Sequence, residues 1–153
     1  MNFKLQYGED FDENYLKRIM EIDEIVYAED GYVGELKNMV ARYLVDPRQF
    51  VCIEDTESGR LAGYINFIPC TKALYEDIRY QSEHIRDDDI RPQELEPLKQ
   101  TGNDLFIISI ALHPDFKDTD AIKDLSNGWI DYLNRLEISG YPITSITATA
   151  VSP

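Results

Sequence analysis

The feature that most constrains this chain is an apolar run over residues 105–112, which ends at His113-Pro114. A run of this length with almost no polar residue is typical of a central strand that is buried on both faces. Proline cannot donate a backbone hydrogen bond, so it ends such a strand rather than continuing it. The chain is therefore expected to build a sheet around residues 105–112.

A long amphipathic stretch follows this strand and predicts a helix. The segment from Asp118 to Asp120 offers residues that can cap its start, and Gly140 and Pro142 are expected to end it. Its apolar residues recur at helical spacing: Ala121, Ile122, Leu125, Trp129, Leu133 and Leu136. One side of this helix should therefore pack on the sheet.

The N-terminal part of the chain predicts a strand, two helices and a hairpin. Asp12 or Asn14 is expected to cap the first helix, which should stop at the loop over residues 28–31, and Asp46-Pro47 should end the second. The predicted elements are a strand over 3–7, helical stripes at Leu16, Ile19, Met20, Val26 and Tyr27 and at Leu36, Met39, Val40, Tyr43 and Leu44, and strands over 49–54 and 61–68 around Ser58-Gly59.

Residues 70–103 are the least regular part of the chain. A helix over 71–80 and a short turn over 93–98 are expected, with Asp87-Asp88-Asp89 and Pro92 between them. A connection of this length is either a functional loop, such as a lid, or a surface excursion that only packs.

A β-branched strand over 143–151 completes the predicted order, β-α-α-β-β-β-α-β. This order predicts an α+β fold, in which a mixed sheet carries helices on its faces. The length of 153 residues suits a single domain over residues 1–153.

The amino-acid composition indicates which kinds of binding partner are expected. Fifteen Lys and Arg residues face 29 Asp and Glu residues, which gives a formal net charge of −14. Such a balance repels a polyphosphate backbone, so nucleic acid is not expected as a partner, whereas a cationic amine or a basic peptide is electrostatically favoured. No apolar run approaches the roughly 20 residues that span a bilayer, so a membrane is not expected either.

Cys52 and Cys70 are the only cysteines, and both lie in or next to strand-like apolar segments. Two buried, reduced thiols are expected in preference to a disulfide, and the expected location is the cytoplasm. Their spacing fits no zinc site, and His84 and His113 are too isolated to supply one, so no metal is expected.

The passage from strand to helix resembles the GNAT superfamily of N-acetyltransferases. The sequence Ile110-Ala111-Leu112-His113-Pro114-Asp115-Phe116 matches the strand ending of that family, and Gly63-Tyr64 matches its preceding hairpin. The element order resembles the family over the whole chain. The resemblance implies a GNAT-like acyl-CoA N-acyltransferase fold, acetyl-CoA as a substrate, and transfer of an acetyl group to an amine.

The resemblance also implies where acetyl-CoA binds. The backbone of Ile110, Ala111 and Leu112 is expected to bond the pantetheine arm, and the amides of the following loop the pyrophosphate. In the family this loop is glycine-rich, whereas the matching residues here are Lys117, Asp118, Thr119, Asp120, Ala121 and Ile122. Two carboxylates, those of Asp118 and Asp120, therefore stand where the family has its first two glycines.

Catalytic residues are less well marked. Where some members of the family carry a glutamate on the central strand, this chain has Ile107-Ile108. Asp104, at the start of the strand, and Ser109 are the candidates for acid–base catalysis, and Tyr64 and Asn66 are the candidates for substrate contact. Ser109 and Tyr64 also have a purely structural interpretation, the serine as a strand residue and the tyrosine as a packed ring with its hydroxyl in water.

The family normally continues past the last predicted strand into another helix and two strands, which are absent before Pro153. An exposed sheet edge favours association, so a homo-oligomer through that edge is one expectation. Two functions follow: an N-acetyltransferase for an amine, or a non-catalytic GNAT-like module that regulates or binds a partner.

Overall fold

The computed structural model describes residues 1–27, 34–80 and 90–148. Expectations on the loop over 28–31, on His84, on Asp87 to Asp89 and on the strand beyond residue 148 lie outside these ranges. Within them, the strands are β1 (Phe3–Tyr7), β2 (Phe50–Asp55), β3 (Leu61–Pro69), β4 (Asn103–Leu112) and β5 (Ile143–Ala148). The α-helices are α1 (Glu13–Tyr27), α2 (Leu36–Tyr43), α3 (Lys72–Tyr80) and α4 (Ala121–Ile138).

The described strands form one mixed sheet in the order β1-β2-β3-β4-β5. The first four strands are antiparallel to their neighbours, whereas β5 is parallel to β4. A parallel neighbour requires a crossover, and α4 provides it. The predicted α+β class and the predicted order of elements are confirmed.

Helices cover both faces of the sheet. Ile65 belongs to the core cluster that α4 covers, whereas its neighbour Tyr64 belongs to the cluster under α1 and α2. Consecutive strand residues point to opposite faces, so α4 lies on one face and α1 and α2 on the other. Ile68, four residues after Tyr64, packs in a third cluster with Leu74 and Ile78 of α3, which places α3 on the face of α1.

The structure differs from the sequence prediction in two details. Leu44 was placed on the apolar stripe of the second helix but is 71% exposed, because α2 ends at Tyr43. Ile110 was placed in a strand buried on both faces but is 42% exposed, because α4 packs on β1, β2 and β3 rather than on the end of β4. Within the predicted capping segment, Asp120 makes no capping bond through its side chain, and the Thr119 hydroxyl accepts the Ala121 N–H instead.

An irregularity interrupts the pairing of β3 with β4. Ser109 lies opposite Asn66 and Ile107 lies opposite Phe67, so Ile108 has no residue opposite it. An extra residue of this kind is a β-bulge, and it re-aims the side chains that follow. As a result, Ile108 packs against the α3 cluster while the next residue, Ser109, also faces the helices α1 to α3.

The connection over residues 90–103 is held at the end of α2. The carboxylate of Asp46 accepts a hydrogen bond from the Leu98 backbone N–H at 3.0 Å and is paired with Arg48 at 2.9 Å. Although burial disfavours its charged form, the hydrogen bonds from Arg48 and Leu98 hold the pKa of Asp46 below its ordinary value. Asp46 therefore fixes the segment that leads into β4.

Candidate functional site

The C-terminal half of β4 presents backbone groups away from β3. The His113 N–H donates to the Ala62 carbonyl at 2.8 Å. Hydrogen-bonded and non-bonded pairs alternate along an antiparallel ladder, so Ala111 also bonds across to β3, whereas Ile110 and Leu112 point their N–H and C=O groups to the opposite edge. In the described part of the chain, β5 accompanies β4 on that edge only as far as Ile107.

Tyr27 confirms the direction of the Ile110 carbonyl. The Tyr27 hydroxyl, at the end of α1, donates a hydrogen bond to the Ile110 carbonyl oxygen. Of the three strand residues expected at the acetyl-CoA arm, Ile110 and Leu112 thus offer outward backbone groups, and Ala111 uses its own within the sheet. α1 lies over the same edge.

The loop between β4 and α4 is held to the turn between β2 and β3. Arg60 donates to the Asp115 carboxylate at 2.7 Å, and its guanidinium lies over the ring of Phe116. The Arg60 hydrogen bond, opposed by slight desolvation, lowers the pKa of Asp115. His113 accepts the Asp115 backbone N–H at its Nδ1, at 3.1 Å, which leaves Nε2 to carry the proton when the ring is neutral.

The start of α4 has amides available to an anion. The first four N–H groups of a helix have no partner inside it. The Ala121 N–H bonds to the Thr119 hydroxyl at 3.2 Å and the Asp124 N–H bonds to the Asp120 carbonyl at 2.9 Å. Among the residues that the structure describes, no acceptor faces the N–H groups of Ile122 and Lys123. The helix dipole also favours a negative charge there.

The predicted loop residues are therefore brought together at one end of α4. The side chains of Lys117, Asp118, Asp120 and Ile122 are exposed, whereas Ala121 is buried in the core. Thr119, inside the predicted capping segment, accepts the Ala121 N–H through its hydroxyl. Both carboxylates consequently remain at the surface beside the available amides.

Three polar side chains are linked by hydrogen bonds on the face of the sheet that α1 covers. The Tyr64 hydroxyl on β3 donates to the carboxylate of Asp23 on α1. The same hydroxyl lies 2.7 Å from Ser109 Oγ on β4. Asp23 is 3% exposed and Tyr64 1% exposed, whereas Ser109 is half-buried. This chain, Asp23-Tyr64-Ser109, joins a buried carboxylate to the residue next to the outward edge of β4.

The other two predicted site residues form hydrogen bonds elsewhere, although Asn66 lies opposite Ser109 in the β3–β4 pairing. Asn66 is buried and donates to the backbone and side-chain oxygens of Gln49, at 3.1 and 3.0 Å. Asp104 accepts a hydrogen bond from the Ser145 hydroxyl of β5 at 2.5 Å. Asp104 and Ser109 are five residues apart on one strand, a separation of about 17 Å at the usual rise per residue.

A cavity of about 430 Å³ lies between α1 and the turn that joins β2 to β3. Arg18, Arg60 and His113 line it, together with Glu21 and Ile25. The two arginines hold its walls together: Arg18 donates to the Gly59 carbonyl at 2.8 Å, and Arg60 is paired with Asp115. Although the chain carries a net negative charge, this cavity is lined with cations.

Sequence reasoning missed Asp23, yet the signal for it was present. Ile19, Met20 and Tyr27 define the apolar stripe of α1, and Asp23 falls on that stripe by its spacing. A carboxylate on the buried face of a helix needs a hydrogen-bonding partner. Tyr64 is that partner, whereas the sequence predicts it only as a candidate for substrate contact.

No protein-family model matches the chain, and no curated protein sequence matches it. Solved structures do match it. The loading GNATL domain of CurA from Lyngbya majuscula has a TM-score of 0.66 and 12% identity, over 96% of this chain and 65% of that one. The present chain thus spans slightly less than two thirds of that structure.

Two further structures extend the likeness. AAC(6')-Iy, in complex with the bisubstrate analogue CoA-S-monomethyl-acetylneamine, has a TM-score of 0.56 and 10% identity, over 100% of this chain and 82% of that one. A ribosomal-protein alanine N-acetyltransferase from Escherichia coli has a TM-score of 0.51 and 11% identity, over 92% and 63%. The chain therefore has the GNAT acetyltransferase fold, as its sequence predicted.

In the described ranges, no helix is long and apolar enough to cross a membrane. Cys52 and Cys70 are both buried and unpaired in a disulfide, which confirms the expected free thiols. Burial raises the pKa of the Cys70 thiol to about 12, so it stays protonated at neutral pH.

Proposed function

We propose that this protein is an N-acetyltransferase that moves the acetyl group of acetyl-CoA to an amine. The observation that carries the proposal is the outward edge of β4 at Ile110 and Leu112, which leads directly to the available amides at the start of α4. An extended arm can bond the first as an added strand would, and a pyrophosphate can sit at the second. The GNAT fold supports this assignment of the two surfaces.

The electrostatics of the proposed phosphate site are mixed. The amides of Ile122 and Lys123 favour an anion, and the side chains of Lys117 and Lys123 add positive charge nearby. Asp118 and Asp120 oppose it. Because both carboxylates are exposed and screened by water, their repulsion is on the order of 1 kcal/mol each rather than prohibitive.

The chemistry is an acyl transfer. Acetyl-CoA supplies a thioester, whose carbonyl carbon is attacked by an uncharged amine. The C–N bond forms, the C–S bond breaks, and the nitrogen loses a proton. With the arm running from the start of α4 along Leu112 and Ile110, the reacting end comes next to Ser109.

The proposed acceptor is a cationic small molecule or a basic peptide. The net charge of −14 attracts such molecules and repels nucleic acid. Among the similar structures, one is an aminoglycoside acetyltransferase and another a ribosomal-protein alanine N-acetyltransferase. The proposed location is the cytoplasm, where acetyl-CoA is present.

The test is acetyl transfer by the purified protein. Acetyl-CoA is incubated with a polyamine, an aminoglycoside, a lysine-rich peptide or no acceptor, and both free thiol and acetylated amine are measured by mass spectrometry. The proposal predicts equal amounts of the two products with at least one acceptor. Thiol release that never exceeds the rate without acceptor would contradict it.

A second candidate is a non-catalytic module that keeps the fold and binds a partner. The observation that favours it is the pair of exposed carboxylates, Asp118 and Asp120, beside the proposed phosphate site. This candidate predicts no measurable acetyl-CoA binding by the native protein. Tighter binding after replacement of both aspartates by glycine would support a site that has been degraded.

Two structural expectations belong to the same proposal. Residues 1–153 are taken to form one domain, and β5 is taken as the edge through which two copies associate. Sedimentation velocity measures the second expectation directly, since association makes the weight-average mass rise with concentration.

A further inference from the structure

We propose that Ser109 contacts the attacking amine as a hydrogen-bond acceptor, and that Tyr64 and Asp23 behind it fix this role and take up the proton. The inference rests on the proposed acetyl transfer and adds to it the path by which the nitrogen loses its proton. Its basis is the chain from Asp23 through Tyr64 to Ser109, built from α1, β3 and β4.

The carboxylate fixes the direction of every hydrogen bond in this chain. An ionised carboxylate only accepts, so the Tyr64 hydroxyl must donate to Asp23. The oxygen of Tyr64 then accepts, which makes Ser109 the donor across the 2.7 Å contact. Ser109 Oγ keeps its lone pairs, and the residue is only half-buried. An amine N–H can donate to them.

The β-bulge at Ile108 determines which face of the sheet carries the Ser109 side chain. Without the extra residue at Ile108, alternation would turn Ser109 toward the face that α4 covers. Ser109 also precedes Ile110, the first residue whose backbone groups point to the outward edge. The hydroxyl therefore stands at the end of the surface proposed for acetyl-CoA.

The proton balance is simple. As the C–N bond forms, the nitrogen becomes positively charged and passes a proton to Ser109. Ser109 passes its own proton to Tyr64, and Tyr64 passes its own to Asp23, so that the carboxylate ends neutral. The C–S bond breaks with its electron pair on sulfur, and the thiolate takes a proton from water. Asp23 returns its proton to solvent before the next turnover.

Three further titratable groups on this face of the described structure stay neutral near pH 7. Burial raises the pKa of Cys52 on β2, and it likewise raises the pKa of Tyr15 on α1 and of Tyr43 on α2. The remaining titratable or charged groups on the helices of this face include Tyr27 of α1 and the buried Arg42 of α2. Carboxylates are also present here, on Glu21 of α1 and on Glu54 of β2, which accepts a hydrogen bond from Tyr15. The pH profile of Asp23→Asn is therefore compared with those of Glu54→Gln and Glu21→Gln.

The test compares Ser109→Ala, Asp23→Asn and Tyr64→Phe with the wild type, using one acceptor throughout. Each single variant should lower kcat by about 100-fold, a typical effect of general acid–base catalysis. The Asp23→Asn/Ser109→Ala double variant should be no slower than either single, because the three residues act as a unit. Ser109→Thr, which keeps the hydroxyl, should retain most of the wild-type kcat. The wild-type kcat should fall on the acidic side of its pH profile, and Asp23→Asn should lack this fall.

Two controls separate this role from a structural one. The Kd for acetyl-CoA, measured by calorimetry, should change by less than about twofold in Ser109→Ala, which removes one half-buried hydroxyl. Ser126→Ala, in α4, should keep full activity. The inference alone is overturned if Ser109→Ala keeps at least a third of the wild-type kcat. It is also overturned if the effects of Asp23→Asn and Ser109→Ala multiply in the double variant. A wild type that transfers no acetyl group would overturn the proposed function and this inference together.

Discussion

Gly63 on β3 lies so close to Ala111 on β4 that a Cβ atom at Gly63 would be 2.8 Å from the Ala111 carbonyl oxygen. Real Cβ atoms do not approach a backbone oxygen this closely. The glycine lets β3 and β4 pair tightly at the point where β4 turns its alternate backbone groups outward. Gly63 thus permits the close pairing of the strands, and the next residue, Tyr64, contacts Ser109 through its hydroxyl.

Replacing Gly63 with alanine should therefore destabilise the fold. The backbone of β4 must shift, and overpacking of this kind costs about 1–3 kcal/mol. Urea unfolding should show a lower midpoint with an unchanged slope. Glu57→Ala, in the exposed turn of the same hairpin, serves as the control and should stay within about 0.5 kcal/mol. An equally small change for Gly63→Ala would mean that the strands are not held this closely.

The outward N–H of Ile110 should contribute to acetyl-CoA binding. Ile110→Pro removes that N–H, and proline is tolerated in a strand where the N–H does not bond a neighbouring strand. Loss of one hydrogen bond should weaken binding by about fivefold. Ile110→Ala removes the same exposed side chain but keeps the N–H, so its affinity should match that of the wild type. Equal affinities for the two variants would show that the arm does not use this edge.

Replacing Asp118 and Asp120 together should strengthen acetyl-CoA binding. Removal of two like charges at about 1 kcal/mol each lowers the dissociation constant by about 30-fold, and more at low salt. One double variant has Gly at both positions and the other has Asn. The Asn variant removes the two charges without adding the backbone freedom of glycine. Asp131→Asn, farther along α4, is the control for overall charge. If the double variants bind no more tightly than this control, the phosphates do not approach the start of α4.

Asp46 should make the free energy of unfolding depend on pH. Its folded pKa lies below the ordinary value of 3.8, so its stabilising effect is present above that value and is lost as pH falls through the folded pKa. At pH 7, Asp46→Asn should cost about 1.5–3 kcal/mol, the usual range for hydrogen bonds to a charged group. The gap between variant and wild type should narrow below pH 4.

The pairing with Arg48 provides a check on this prediction. In an Arg48→Ala background, one of the two main partners of the carboxylate is gone, so Asp46→Asn should cost clearly less. Equal costs in both backgrounds would show that Arg48 does not stabilise the charged form of Asp46.

The sequence predicted most elements because their signals are local. The stripe of α4 and the run over β4 have clear periods, and the structure confirms both elements. Gly140 ends α4 as expected, with φ of 101°, a conformation that glycine adopts readily. The cap could be predicted only as the segment from Asp118 to Asp120, because all three residues are good caps and only the path of the loop selects Thr119.

The site was harder to predict because it depends on register. A uniformly apolar strand does not reveal which residues share a face, so the bulge at Ile108 could not be placed from the sequence. Without it, Ser109 had no definite neighbour. Asp23 lies 41 residues before Tyr64, and only the packing of α1 on β3 brings the two together.

Titration of the purified protein with acetyl-CoA at low salt tests the central proposal most directly. Calorimetry should show one site with a micromolar dissociation constant, and that constant should rise with added salt because the phosphates are bound partly by charge. Absence of binding up to millimolar acetyl-CoA would contradict the proposal and would favour the non-catalytic module.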